Sequence, residues 1–115
     1  MNDRFGEEFC DYVCKSIRFV FHMLLGDSGA SALENYLNRK LSRNMYEVFC
    51  SSPNEFYRVL KSFLGYGADA LLKIVASKLI EEGVLVGLTP GEFVELLSDG
   101  SENARLRLLK SFRRV

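Results

Sequence analysis

The chain has no tryptophan, no glutamine, one histidine and two prolines. A lone His22 excludes histidine-rich metal sets and leaves acid and base chemistry a single imidazole. Missing glutamine reduces the thermolabile amides, one trait of thermophile proteins, but six asparagines and three cysteines offset it. Net charge is also absent, since 15 Lys and Arg balance 15 Asp and Glu. That argues against whole-surface attraction to nucleic acid or anionic lipid and leaves only local patches. No apolar run reaches the roughly 18 residues of a membrane span, because Lys15, Arg18 and His22 interrupt the most hydrophobic stretch. A secretory signal carries a basic segment and then an unbroken apolar one; here Asp3, Glu7, Glu8 and Asp11 stand in that place, so a cytoplasmic location is expected. Cys10, Cys14 and Cys50 are odd in number, and Cys10 and Cys14 lie one helical turn apart, where a bridge staples nothing beyond its own helix. Reduced thiols are therefore expected.

What is present is ordinary for a globular protein, at 48% hydrophobic and 26% charged residues. A chain of this length buries roughly 65% of the surface its unfolded form exposes, enough for one helical domain over residues 1–115. From Phe5 to Leu25, Phe9, Val13, Ile17, Val20 and Leu24 recur at steps of four and three, widened by Cys10, Cys14, Phe21 and Leu25. This predicts a helix buried against more than one neighbour, with Gly26 as its stop. A second helix is predicted from Ser28 or Ser31, with Ser31 and Glu34 as a capping box, Leu33, Leu37 and Leu41 as its core row, and an end near Asn44. Met45 to Cys50 reads as a short helical turn capped by Asn44 and anchored by Tyr46, Val48 and Phe49.

Ser52, Pro53, Asn54 and Glu55 then write a helix start: a cap, a proline suited to the first position, and a glutamate able to reach back. Loss of the Ser52 cap is expected to cost about 1 kcal/mol. Phe56, Val59, Leu60 and Phe63 form the buried row up to Gly65; Tyr66 and Gly67 lead into Ala68, Leu71, Leu72, Val75 and Leu79. The short connection predicts a helical hairpin. Thr89, Pro90, Gly91 and Glu92 repeat the start signal before Phe93, Val94, Leu96 and Leu97, a recurrence that capping chemistry explains without duplication. Asp99, Gly100 and Ser101 precede a last helix with Ala104, Leu108, Leu109 and Phe112 apolar. Val84 to Leu88 is the only period-two stretch and too short for a sheet. The fold class is all-α, a compact orthogonal or antiparallel bundle of five to seven helices.

The pattern Pro53, Phe56, Leu60, Phe63, Gly65, Gly67, Ala68 and Leu72, with a long helix to Glu82 and a short one around Phe93 to Leu97, resembles the archaeal Nitrosopumilus output domain family. The resemblance spans about Ala32 to Leu97. It implies a small helical domain, alone or as the output module of archaeal signalling proteins, with no established catalytic residues. The first helix and the basic C-terminus lie outside it.

Candidate sites are few. Gly65 and Gly67 precede a helix, where free amides can hold an anion. A nucleotide loop needs Lys and then Ser or Thr after its last glycine; Ala68, Asp69 and Ala70 stand there instead, so Ser52, Pro53, Phe56, Gly65, Gly67 and Ala68 read as a structural hairpin. Cys10, Cys14 and His22 share a helix, whereas zinc sites draw paired ligands from two elements, so no metal and no cofactor is expected. No Lys or Arg occurs from residue 79 to 104, and Arg105, Arg107, Lys110, Arg113 and Arg114 follow. Acids at helix starts and bases at helix ends explain this internally; the sharper reading is contact with a protein partner or with nucleic acid, extended by Arg39, Lys40, Arg43, Arg58 and Lys61. The function expected is a non-enzymatic interaction module in signalling or regulation that acts through protein partners, with self-association as a homodimer. The alternatives are a nucleic-acid-binding regulator and, third, a sensor centred on Cys10, Cys14 and Cys50.

Overall fold

Glycine at position 26 divides the longest element without ending it. The computed structural model describes residues 6–113, and helix α1 runs over Glu7–Leu41 with one residue out of helical geometry, Gly26 at φ 76° and ψ 163°. That positive φ is accessible to glycine and strained for most others, so residues 7–25 and 27–41 are two helical arms meeting at a kink. The predicted stop at Gly26 is thus the end of the first arm, the second arm resumes at once beside the predicted Ser28 across a kink, and the predicted start at Phe5 lies outside the described residues. Ser31 caps nothing because the second arm already runs through it; Glu34 is drawn into other bonds, described below. Helix α1 ends at Ser42, which is left-handed at φ 58°.

Helix α2 is Met45–Ser51, and Asn44 caps it as expected, its side-chain oxygen accepting from the amides of Tyr46 and Glu47 at 2.9 and 3.3 Å. Met45, Tyr46, Val48, Phe49 and Cys50 are all buried. Helix α3, Pro53–Leu64, and helix α4, Gly67–Glu81, form the predicted hairpin, with Gly65 at φ 59°. Pro53, Phe56, Leu60 and Ala68 are buried. Two expectations here are corrected. Ser52 makes no side-chain cap; it closes α2 by donating its amide to the carbonyl of Val48, and its ψ of 78° takes the hydroxyl off the capping direction. Phe63 is not in the buried row but half-exposed, stacked at 4.1 Å on Tyr36.

Helix α5, Pro90–Asp99, opens on a complete capping box between Thr89 and Glu92. Helix α6, Glu102–Lys110, is capped by Ser101. Asn54 of α3 donates to the carbonyls of Leu97 and Ser98 at 3.1 and 3.2 Å, tying the start of one helix to the end of another. Val84 to Leu88 contributes one isolated antiparallel bridge, Leu85 to Phe112. The amide of Val86 bonds the carbonyl of Ser111, and the amide of Arg113 that of Val84. Residues 111–113 are thereby pinned beside the end of α4.

Phe49 is the hub of the core, with ring contacts to Phe56, Phe93 and Phe112 at 5.3, 6.3 and 6.1 Å. Phe21 reaches Tyr46 and Phe56. Ala104, Leu108, Leu109 and Phe112 are buried as the sequence predicts. The result is an all-α bundle of six helices among the described residues, with a radius of gyration of 13.1 Å, that of a compact globule of this length.

Candidate interaction surface on the first helix

Among the described residues, the basic side chains singled out at the C-terminus do not form one free patch. Arg105 turns inward, its Nε donating to the carbonyl of Cys50 at 3.2 Å while Nη1 pairs with Glu102 at 3.1 Å. Arg107 faces Glu92 at 3.8 Å. Lys110 and Arg113 are exposed, and the backbone of Arg113 is fixed on both sides, by the carbonyl of Val84 and by the hydroxyl of Tyr12, which donates to its carbonyl at 2.6 Å. Arg114 lies outside the described residues. Of the cations proposed to extend the patch, Lys61 is engaged with Asp69 at 3.2 Å, and Tyr57 donates to the same carboxylate at 2.8 Å. Asp69 thus sets a carboxylate in the first turn of α4, held by Lys61 and Tyr57.

The cysteines depart from expectation. Cys10 and Cys50 are bonded to each other, their Cα atoms 5.9 Å apart and 40 residues apart in sequence. The bond joins the start of α1 to the end of α2, a proximity that only the tertiary fold creates, so the reduced-thiol reading is corrected for this pair. Cys14 remains a thiol and donates to the carbonyl of Tyr46 at 3.1 Å. Burial, with Glu47 and Asp11 nearby, pushes its pKa up to about 11, which makes it a poor nucleophile. Among the described residues no group of three or more His, Cys, Asp or Glu comes together to hold a metal ion.

A polar cluster braces the kink. His22, before Gly26, places Nδ1 2.9 Å from Asp27 and Nε2 2.9 Å from Glu34, both beyond it. Glu34 also accepts from the Tyr46 hydroxyl at 2.6 Å and lies 3.7 Å from Arg18. Burial works to raise the Glu34 pKa, but the bonds from Tyr46 and His22 outweigh it and the net direction is down.

Beside this cluster, α1 exposes an apolar row that the sequence reading missed. Phe19 is 62% and Met23 43% exposed, and Leu24 and Leu25, predicted for the buried stripe, are also on the surface. Phe19 forms one wall of a groove with Tyr12, Lys15, Ser16 and Val20; Leu79, Glu82 and Val84 form the other. The groove measures about 250 Å³, below the roughly 300 Å³ at which pockets begin to enclose small molecules. On its far side Phe19 borders a charged depression with Lys15, Arg18, His22 and Asp27. The signal available in sequence was a second row, Tyr12, Ser16, Phe19 and Met23, offset by one position from the buried row. A helix apolar over so wide an arc cannot cover all of it internally.

No family model, no curated protein and no solved structure matches this chain. No helix among the described residues is long and apolar enough to cross a membrane.

Proposed function

We propose that this chain is a non-enzymatic helical interaction module, a signalling or regulatory output domain that works by protein contact through the exposed face of α1. One observation carries the reading: Phe19 stands in solvent on the rim of an apolar groove, with Met23 exposed one turn further along, on a helix whose inner face of Val13, Ile17, Val20 and Phe21 is already buried in the bundle. Large aromatic side chains rimmed by charge are the usual anchors of protein interfaces. The resemblance to the Nitrosopumilus output domain family agrees with such a role and with an archaeal, cytoplasmic setting, and it rests on residue pattern alone. Of its matching residues, Pro53, Phe56, Leu60, Ala68 and Leu72 are buried in the scaffold, Gly65 and Gly67 lie at the hairpin turn, and Phe63 is half-exposed. In a cytoplasmic setting the Cys10 and Cys50 pair is open to reduction.

A photo-crosslinking residue at position 19, with position 58 on α3 as control, tests this reading in extract of the source cells. Adducts formed at position 19 and competed away by unlabelled wild-type chain, but not by Phe19→Asp, are the expected result. Equal adducts at both positions, or none, sink the proposal. The nucleic-acid alternative keeps Arg107, Lys110 and Arg113 outward among the described C-terminal cations, with Arg39, Lys40, Arg43 and Arg58 exposed as well. It predicts saturable anisotropy changes that fall steeply with salt; the interaction-module reading predicts no such change.

A further inference from the structure

We infer that the partner of the groove is a second copy of this chain, related by a twofold axis running along the groove. This rests on the interaction-module reading and names its occupant. The two walls differ in charge. On the α1 wall Lys15 makes no ion pair among the described residues, and exposed Arg18 follows one turn later. The opposite wall carries Glu82, which shares one cation with its neighbour Glu81: Lys78 lies 3.5 Å from the first and 2.8 Å from the second. One negative charge there is left over.

A twofold axis along the groove carries each wall across to face the other wall of the second copy. Lys15 then meets the partner's Glu82, and the partner's Lys15 meets Glu82, so each complementary pair forms twice. The same operation sets Phe19, the most exposed large apolar side chain of the first arm, over Leu79 and Val84 of the second copy. Knob and groove are thus both present on one chain, as an isologous contact requires. An axis across the groove instead faces Lys15 with Lys15, which costs energy. The zero net charge of the chain removes long-range repulsion between copies. The patch is small, and such contacts give weak, concentration-dependent dimers.

Sedimentation velocity from about 1 µM to about 1 mM tests the inference, with circular dichroism to confirm folding. The wild-type mass is expected to rise from 13.1 kDa toward twice that value. Phe19→Asp should stay monomeric throughout. Lys15→Glu and Glu82→Lys should each weaken association by about tenfold or more, and the double variant should recover most of the loss. A wild-type chain that remains monomeric at the highest concentration overturns the inference, as does a dimer indifferent to all these substitutions. Position-19 adducts to a different protein, with no dimer, would leave the interaction module standing and remove the second copy as its occupant.

Discussion

Only an imidazolium donates from both ring nitrogens, and His22 faces a carboxylate from each, Asp27 and Glu34, both at 2.9 Å. The hydrogen bond to Asp27, then that to Glu34, raises its pKa above 6.5, while Arg18 opposes the shift. A raised folded pKa means that the stabilisation is complete below the unfolded value of about 6.5 and is lost as pH climbs through the folded value. Because these bonds cross Gly26, what weakens at higher pH is the brace on the kink. The expected outcome is that the excess stability of wild type over His22→Gln, read from urea melts, is greatest near pH 6 and shrinks toward pH 8.5. Imidazole proton resonances should titrate above 6.5 in wild type and nearer to it in Glu34→Gln. A His22 that titrates below its ordinary value would remove the account.

Among the elements, three helix starts look alike in sequence and behave differently. Thr89 and Ser101 sit at ψ 161° and 157°, and both accept a bond from the amide of the third residue beyond. Ser52 sits at ψ 78° because it also closes α2, and its hydroxyl makes no cap. Thr89→Ala should therefore cost about 1 kcal/mol, while Ser52→Ala stays within about 0.5 kcal/mol of wild type. Chemical denaturation of the two variants separates these outcomes; an equal loss in both would mean that Ser52 caps in solution. The contrast marks how far local signals reach. Helix periods, the Asn44 and Thr89 caps and the glycine breaks were legible because each depends on neighbours within a few residues. The double duty of Ser52 was not, since it arises from two helices sharing one residue. Gly26 was legible as a break, but not the way the second arm resumes at once beyond it, with His22 bonded across the kink to Asp27 and Glu34.

At the scale of the molecule, the groove was hidden for the same reason as the disulfide. Phe19 and Leu79, like Cys10 and Cys50, meet only once α1 has packed against later helices. Helical spacing showed that α1 is apolar over a wide arc but could not say which row the bundle would leave uncovered. The Cys10 and Cys50 bond closes a loop of 40 residues that holds the kink, the second arm and α2. Crosslinking a loop of this length removes conformational freedom from the unfolded chain and stabilises by about 2–4 kcal/mol. Reduction should then lower Tm by on the order of 10–20 °C for a domain of this size. Cys10→Ser with Cys50→Ser should melt where the reduced wild type melts and should not respond to reductant. Thiol titration in denaturant is the direct check: without reductant only Cys14 is expected to react, and with it Cys10 and Cys50 join it. If all the cysteines react before reduction, the chain folds without this bond. The neighbouring ends of α1 and α2 would then rest on the buried cluster that includes Val13, Ile17 and Phe49 and on the Cys14 bond to the Tyr46 carbonyl.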